Sequence, residues 1–147
     1  MHLGGTKRTR EAAQNSTGHA IMPIVTITVT KPKSREFKAM ILTTVHDALC
    51  AAGVNPRDRF HRVLELDEQD FAFDESFPDV RTKRTQDFVL VEILLGVGRS
   101  VKVKKSILAQ IAEGLSQKGF DTENLMVVFQ DVAWENWSPA GGRVPHG

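Results

Sequence analysis

The sequence predicts an α+β (α/β) domain, with duplicated β-α-β units forming a four-stranded mixed sheet and two helices on one face. Three observations carry this. Runs of β-branched residues and amphipathic helical stretches follow one another as strand, helix, strand, and the series repeats once. A shift of 66 positions superposes Ser34 on Ser100, Gly53 on Gly119, Asn55 on Asp121 and Asp58 on Asn124, so cap, stop and turn agree at one offset. Val and Ile on both sides of several strands leave an apolar sheet face without a helix, which predicts burial against other subunits.

Each element has a local cause. "IVTITVT" (24–30) alternates in period two and is rich in β-branched residues, a strand pattern. "KPK" ends it. Ser34 is a good N-cap, and Phe37, Ile41, Val45, Ala48 and Ala52 then form one helical stripe that stops at Gly53. "NPRD" makes a turn into a strand from Phe60 to Leu66. Residues 67–87 show no period and read as a long linker loop with room for a short hairpin. "FVLVEILL" (88–95) is a continuous apolar run, expected to be a strand buried on both faces. Ser100 caps a second helix striped by Ile107, Ile111 and Leu115, and "LMVVFQD" (125–131) is the fourth strand. The units are thus 23–66 and 88–131, followed by an irregular tail at 132–147.

The chain has 147 residues, 41% apolar and 25% charged, which fits one soluble domain with tails. A formal charge of +1 argues against nucleic acid as the main partner. No apolar run approaches the ~20 residues that span a membrane. The only cysteine, Cys50, excludes an intrachain disulfide and fits a reducing, cytoplasmic setting. Residues 1–22 have no apolar signal segment and read by composition as a disordered extension.

Few residues offer chemistry. "MPIVTITVT" (22–30) places a start-like Met-Pro pair at the head of the first strand. Inside a chain, a proline nitrogen is an amide that simply opens an edge strand. At a chain end it is a secondary amine, and an α-amino group titrates near pH ~8. A polypeptide beginning at Met22 loses that methionine and exposes Pro23 as a rigid base or acid. The five histidines and Cys50 lack metal-ligand spacing. Cys50 has no evident partner base and reads as structural. "GVGRS" is not a phosphate-binding loop, and "RTKRT" (81–85) reads as a solvated basic loop that can attract an anion.

"MPIVTITV", "HDAL", "GVNPRDRF", "GRSVKVKK" and "ENWSPAGG" together resemble the tautomerase superfamily, closest to its malonate semialdehyde decarboxylase-like group. The resemblance runs from Pro23 to about Gly142. It implies duplicated β-α-β units in a homotrimer, no cofactor, and an amino-terminal proline as catalyst. Pro23 matches that proline. Arg99 matches an arginine that holds the carboxylate of an oxo acid, a role suited to a guanidinium at a helix start. Asp58 matches an aspartate used beside the proline; alone it reads equally as a turn acid. His46 matches a histidine found in the group and in the related cis-3-chloroacrylic acid dehalogenase, where it assists catalysis, and as a sequence feature it is no less a half-buried structural residue. Arg59 lines the pocket or pairs with a carboxylate. Trp137 is a pocket wall or an anchor that pins the tail to the trimer. Phe60 is a pocket wall or, more ordinarily, a buried strand aromatic.

One departure matters. The relatives carry a second arginine shortly before the one matching Arg99, where this chain has Gly96, Val97 and Gly98. Keto–enol exchange needs fewer cations than decarboxylation. The expected activity is therefore tautomerisation of a small anionic oxo acid such as phenylpyruvate, with decarboxylation or hydration of acetylenic or haloacrylic acids next. If Pro23 stays internal, the expectation becomes a non-catalytic trimeric module.

Overall fold

The computed structural model describes residues 22–144. Of the expected extension at 1–22, only Met22 lies among the described residues. Four strands and two helices run in the order β1 (Ile24–Thr30), α1 (Arg35–Ala51), β2 (Phe60–Leu66), β3 (Val89–Gly96), α2 (Val101–Gln117) and β4 (Leu125–Val132). The sheet order is β2-β1-β3-β4. β1 pairs parallel to β2 and antiparallel to β3, and β3 pairs parallel to β4. This is the four-stranded mixed sheet that the sequence predicts.

The two halves repeat closely. Both helices have 17 residues, and both N-cap serines accept a backbone N–H three residues on, from Phe37 to Ser34 and from Val103 to Ser100. Both helices stop before a glycine of positive φ, +108° at Gly53 and +85° at Gly119, a conformation that side chains with a Cβ disfavour. Even an ion pair is duplicated: Lys38 meets Glu65 at 2.7 Å, and 66 positions on Lys104 meets Asp131 at 2.8 Å. Such half-exposed pairs contribute about 0–1 kcal/mol each. They identify the repeat more than they stabilise it.

The core lies between the sheet and the helices. Val25, Ile27 and Val29 of β1 and Val89, Val91 and Ile93 of β3 meet Ile41, Val45 and Leu49 of α1 and Ile107, Ile111 and Leu115 of α2. Each fully buried side chain of this kind contributes roughly 1.5–3 kcal/mol. The other sheet face carries no helix. β3 therefore differs from the expected strand buried on both faces: Val89, Val91 and Ile93 are buried, while Glu92 between them is exposed. On that open face lie Phe60, Leu64 and Val128, among the exposed large apolar residues.

The linker at 67–87 forms no hairpin. It holds a 3₁₀ turn at Glu68–Asp70 and then wraps around Arg84. Arg84 is buried, not solvated as its basic run suggests. Its guanidinium donates to the carbonyls of Asp74, Phe77 and Pro78 and lies over the Phe88 ring at 5.3 Å. A buried cation needs such acceptors, and a planar fork can reach three of them. The tail at 132–147 also contains order, a 3₁₀ turn at Trp134–Asn136.

Candidate active site

The pairing registers bring the chemistry to one end of the sheet. Ile24 pairs with Phe60 at the starts of β1 and β2, and with Leu94 near the end of β3, which itself runs beside the end of β4. Four segments meet there: Met22 and Pro23, the turn with Asp58 and Arg59, the loop with Arg99, and the tail with Trp134 and Trp137. Residues far apart in sequence are gathered because parallel strands start together and antiparallel ones end there.

A mostly apolar cavity of about 200 Å³ opens at this end, lined by Met22, Ile24, Asp58, Phe60, Trp137, Ser138 and Pro139. Pro23 is buried between two of the lining residues. Met22 is held at φ +40° and its backbone N–H donates to the Asp58 carboxylate. The other carboxylate oxygen, Oδ2, is buried and has no hydrogen-bond partner. Burial raises the Asp58 pKa above the ordinary carboxylate value, and the Met22 N–H and the charge of His46 oppose that rise.

His46 projects from the last turns of α1 and is buried. Its Nε2 lies 3.1 Å from the Pro56 carbonyl oxygen, which only accepts, so Nε2 carries the hydrogen. Nδ1 is buried without a partner. Cys50 is not without a base nearby, contrary to the sequence reading: its Sγ is 3.4 Å from His46 Nε2. That nitrogen already donates, however, and burial raises the thiol pKa, so nothing here generates a thiolate. His61, on β2, meets His46 edge-on at 5.4 Å. Burial, aided by the charges of His46 and Arg59, pushes the His61 pKa down to about 4.

The structure thus brings Pro23, Asp58, Phe60 and Trp137 together around one cavity. Phe60 is 63% exposed rather than a buried strand aromatic, because its side chain points to the open sheet face. Trp137 lines the cavity, and its Nε1–H donates to the Val132 carbonyl at 3.2 Å. Arg99 is half-buried on the loop between β3 and α2, at this end of the sheet but outside the cavity lining. Arg59 is exposed and His46 lies behind Asp58; neither lines the cavity. The sequence reading did not single out Met22, Ile24, Ser138 or Pro139 as lining. Ile24 was recoverable from the alternation, which sets it with Thr26 on the face away from the helices. Among the described residues no cluster of three or more His, Cys, Asp or Glu side chains is arranged to hold a metal, and no helix is long and apolar enough to cross a membrane.

Residues 58–140, more than half of the chain, match the family described as "Tautomerase enzyme". The chain belongs to this tautomerase family. Its fold is shared with FG41 malonate semialdehyde decarboxylase inhibited by 3-bromopropiolate, at 25% identity and TM-score 0.73, over 82% of this chain and 91% of that one. A second malonate semialdehyde decarboxylase structure, described for decarboxylase and hydratase activities, matches at 18% identity and TM-score 0.73, over 82% and 92%. A symmetric trimer of fused 4-OT matches at 18% identity and TM-score 0.65, over 84% and 96%. Among curated protein sequences there is no significant match. Membership makes enzymatic activity the general expectation for this tautomerase-family chain. The fold relatives include both decarboxylase and 4-OT structures.

Proposed function

We propose that this tautomerase-family protein interconverts the keto and enol forms of a 2-oxo acid such as phenylpyruvate, with Pro23 at the amino terminus after loss of residues 1–22. The observation that carries the reading is the Asp58 carboxylate at the apolar cavity beside Pro23: Oδ2 is buried without a partner, and the other oxygen is met by the Met22 N–H, which leaves with residues 1–22. Such an oxygen is costly unless a donor meets it. The N–H of an amino-terminal proline, as amine or ammonium, is that donor.

Arg99 anchors the substrate carboxylate, and Ile24, Phe60, Trp137 and Pro139 enclose the apolar end. In the enol-to-keto direction the free amine of Pro23 takes the enol O–H proton, and the C=C electrons form a bond from C3 to a proton delivered by the resulting ammonium. The nitrogen is regenerated and no atom is gained or lost. Acid–base help of this kind contributes about 10²- to 10⁴-fold. An apolar wall lowers the amine pKa and the Asp58 carboxylate raises it, so Asp58 sets which form Pro23 holds.

Asp58 also favours a second reading. A carboxylate that keeps Pro23 protonated suits decarboxylation of malonate semialdehyde, or hydration of acetylenic and haloacrylic acids, where the proline acts as acid. The amine pKa separates them: a value near neutrality supports the tautomerase, and one well above 8 supports the acid role. The open sheet face with Phe60, Leu64 and Val128 supports a homotrimer in either case.

The test is amino-terminal sequencing of the native protein, followed by treatment with 3-bromopropiolate and mass analysis. The expected result is a chain beginning at Pro23, labelled on that residue, that turns over phenylenolpyruvate. A full-length form that is equally active removes the proline mechanism. A native chain with Pro23 internal leaves a non-catalytic module.

A further inference from the structure

The loop that carries Arg99 and the tail that carries Trp137 are joined at a tight contact. Gly96 ends β3, and a Cβ built on it would lie 2.4 and 2.7 Å from ring carbons of Trp134. The indole lies directly on the Gly96 backbone, so no residue other than glycine fits under it without moving the ring or the strand. The ladder continues one step further, as the Val97 N–H donates to the Val132 carbonyl at 2.9 Å. Beyond it the chain turns at Gly98, with φ +119°, and after Arg99 it enters the Ser100 cap. Arg99 is therefore fixed on both sides, by the Gly96–Trp134 contact and by the helix. Trp134 also reaches the cavity wall, because its carbonyl accepts the Trp137 N–H at 3.1 Å.

We infer that Trp134, seated on Gly96, is a positioning residue that sets the Arg99 loop against the Trp137 wall and so determines how well the site takes a substrate carboxylate. The inference rests on the proposed role of Arg99 as the carboxylate anchor. Displacing the ring moves the loop and the wall together. Because Trp134 does not line the cavity, the cost falls on binding of the charged end of the substrate more than on the proton transfer at Pro23.

The test compares phenylenolpyruvate with its methyl ester, which lacks the charge, in the active protein and five variants: Arg99→Ala, Gly96→Ala, Trp134→Leu, Trp134→Phe and the Gly96→Ala/Trp134→Leu double variant. Gly96→Ala is expected to raise KM for the acid about tenfold, with a smaller change in kcat and little change for the ester. The double variant is expected to be no worse than Trp134→Leu alone, since the clash is gone. Trp134→Phe, which keeps an aromatic ring on Gly96, restores most of the affinity. If Gly96→Ala does not fold, Trp134→Leu carries the same KM comparison. A raised acid KM in Arg99→Ala with no rise in Gly96→Ala or Trp134→Leu overturns the positioning role alone. Equal losses for acid and ester also overturn it, marking a general packing role. An unchanged acid KM in Arg99→Ala overturns the reading of Arg99, and the inference with it.

Discussion

The first and second β-α-β halves use one scaffold for different purposes, and their matched positions say how. Sixty-six residues separate Asp58 from Asn124, His46 from Ala112, Cys50 from Ser116 and His61 from Val127. In the second half, both side-chain polar atoms of Asn124 have a partner: its Oδ1 accepts the Thr85 N–H at 2.8 Å and its Nδ2 donates to the Thr85 hydroxyl at 3.0 Å. In the first half, Asp58 keeps a buried oxygen unmet. Lys33 stands where the first helix repeats the position of Arg99, but its Nζ is turned onto the Thr30 carbonyl at 2.9 Å and lies 3.7 Å from Asp87. A larger cleft of about 370 Å³ does open at this second end, between Phe37, Thr85, Asp87 and Asn124. Size does not make it the better candidate for catalysis, because its polar groups largely answer one another. An unmet carboxylate oxygen, rather than volume, distinguishes the end where chemistry is proposed.

Exchanging the paired residues is the strongest way to break that contrast. Asp58→Asn is expected to lower turnover of phenylenolpyruvate by about 10²-fold or more, in line with the loss of acid–base control. It is also expected to raise stability at neutral pH, read by thermal unfolding. Burial raises the Asp58 pKa, so the folded state holds that proton more tightly than the unfolded chain, and ionisation at higher pH costs stability. Solvent contact limits the gain to roughly 1 kcal/mol or less. The reverse exchange, Asn124→Asp, buries a charge in a completed pair and is expected to cost about 1–3 kcal/mol while leaving kinetics alone.

The caps sharpen the comparison at a smaller scale. Ser34→Ala and Ser100→Ala are each expected to cost about 1 kcal/mol in denaturant unfolding. Only Ser100→Ala should also raise KM for the acid, because Arg99 immediately precedes that cap. Equal kinetic effects from the two would show that cap and anchor are not linked.

The mildest test makes the halves alike at His61. Its folded pKa of about 4 lies below the ordinary 6.5, so the unfolded chain binds the proton more readily. Stability from the neutral ring is complete above about pH 6.5 and is lost as pH falls towards about 4. Half-exposure reduces the effect to about 1 kcal/mol. His61→Val, copying Val127, is expected to flatten the stability profile over that window, followed by unfolding at stepped pH.

Much of this was legible in the sequence because the decisive signals are local. Period-two alternation located β1 at 24–30, serine caps located both helices, and the 66-residue offset exposed the repeat with Asp58 and Asn124 already matched. The misses depend on contacts distant in sequence. Arg84 looked solvated within a basic run, since nothing local reveals that three carbonyls converge on it. Phe60 looked like a core aromatic, since its strand pattern does not say which face lacks a helix. Trp134 drew no notice, because its meaning lies in a glycine 38 positions earlier. The site residues Asp58 and Trp137 were nameable from motifs, but the cavity between them was not, because register alone creates it.

The position matching Pro23 is Val89, and Val89 is flanked by polypeptide on both sides. Gene duplication can copy every side chain and every cap, but a covalent strand has just one head. On the proposed chemistry, the twin end is sterile by connectivity as well as by composition. No set of point substitutions would waken it; only severing the backbone ahead of Val89, and placing a proline there, would offer the second half the same amine.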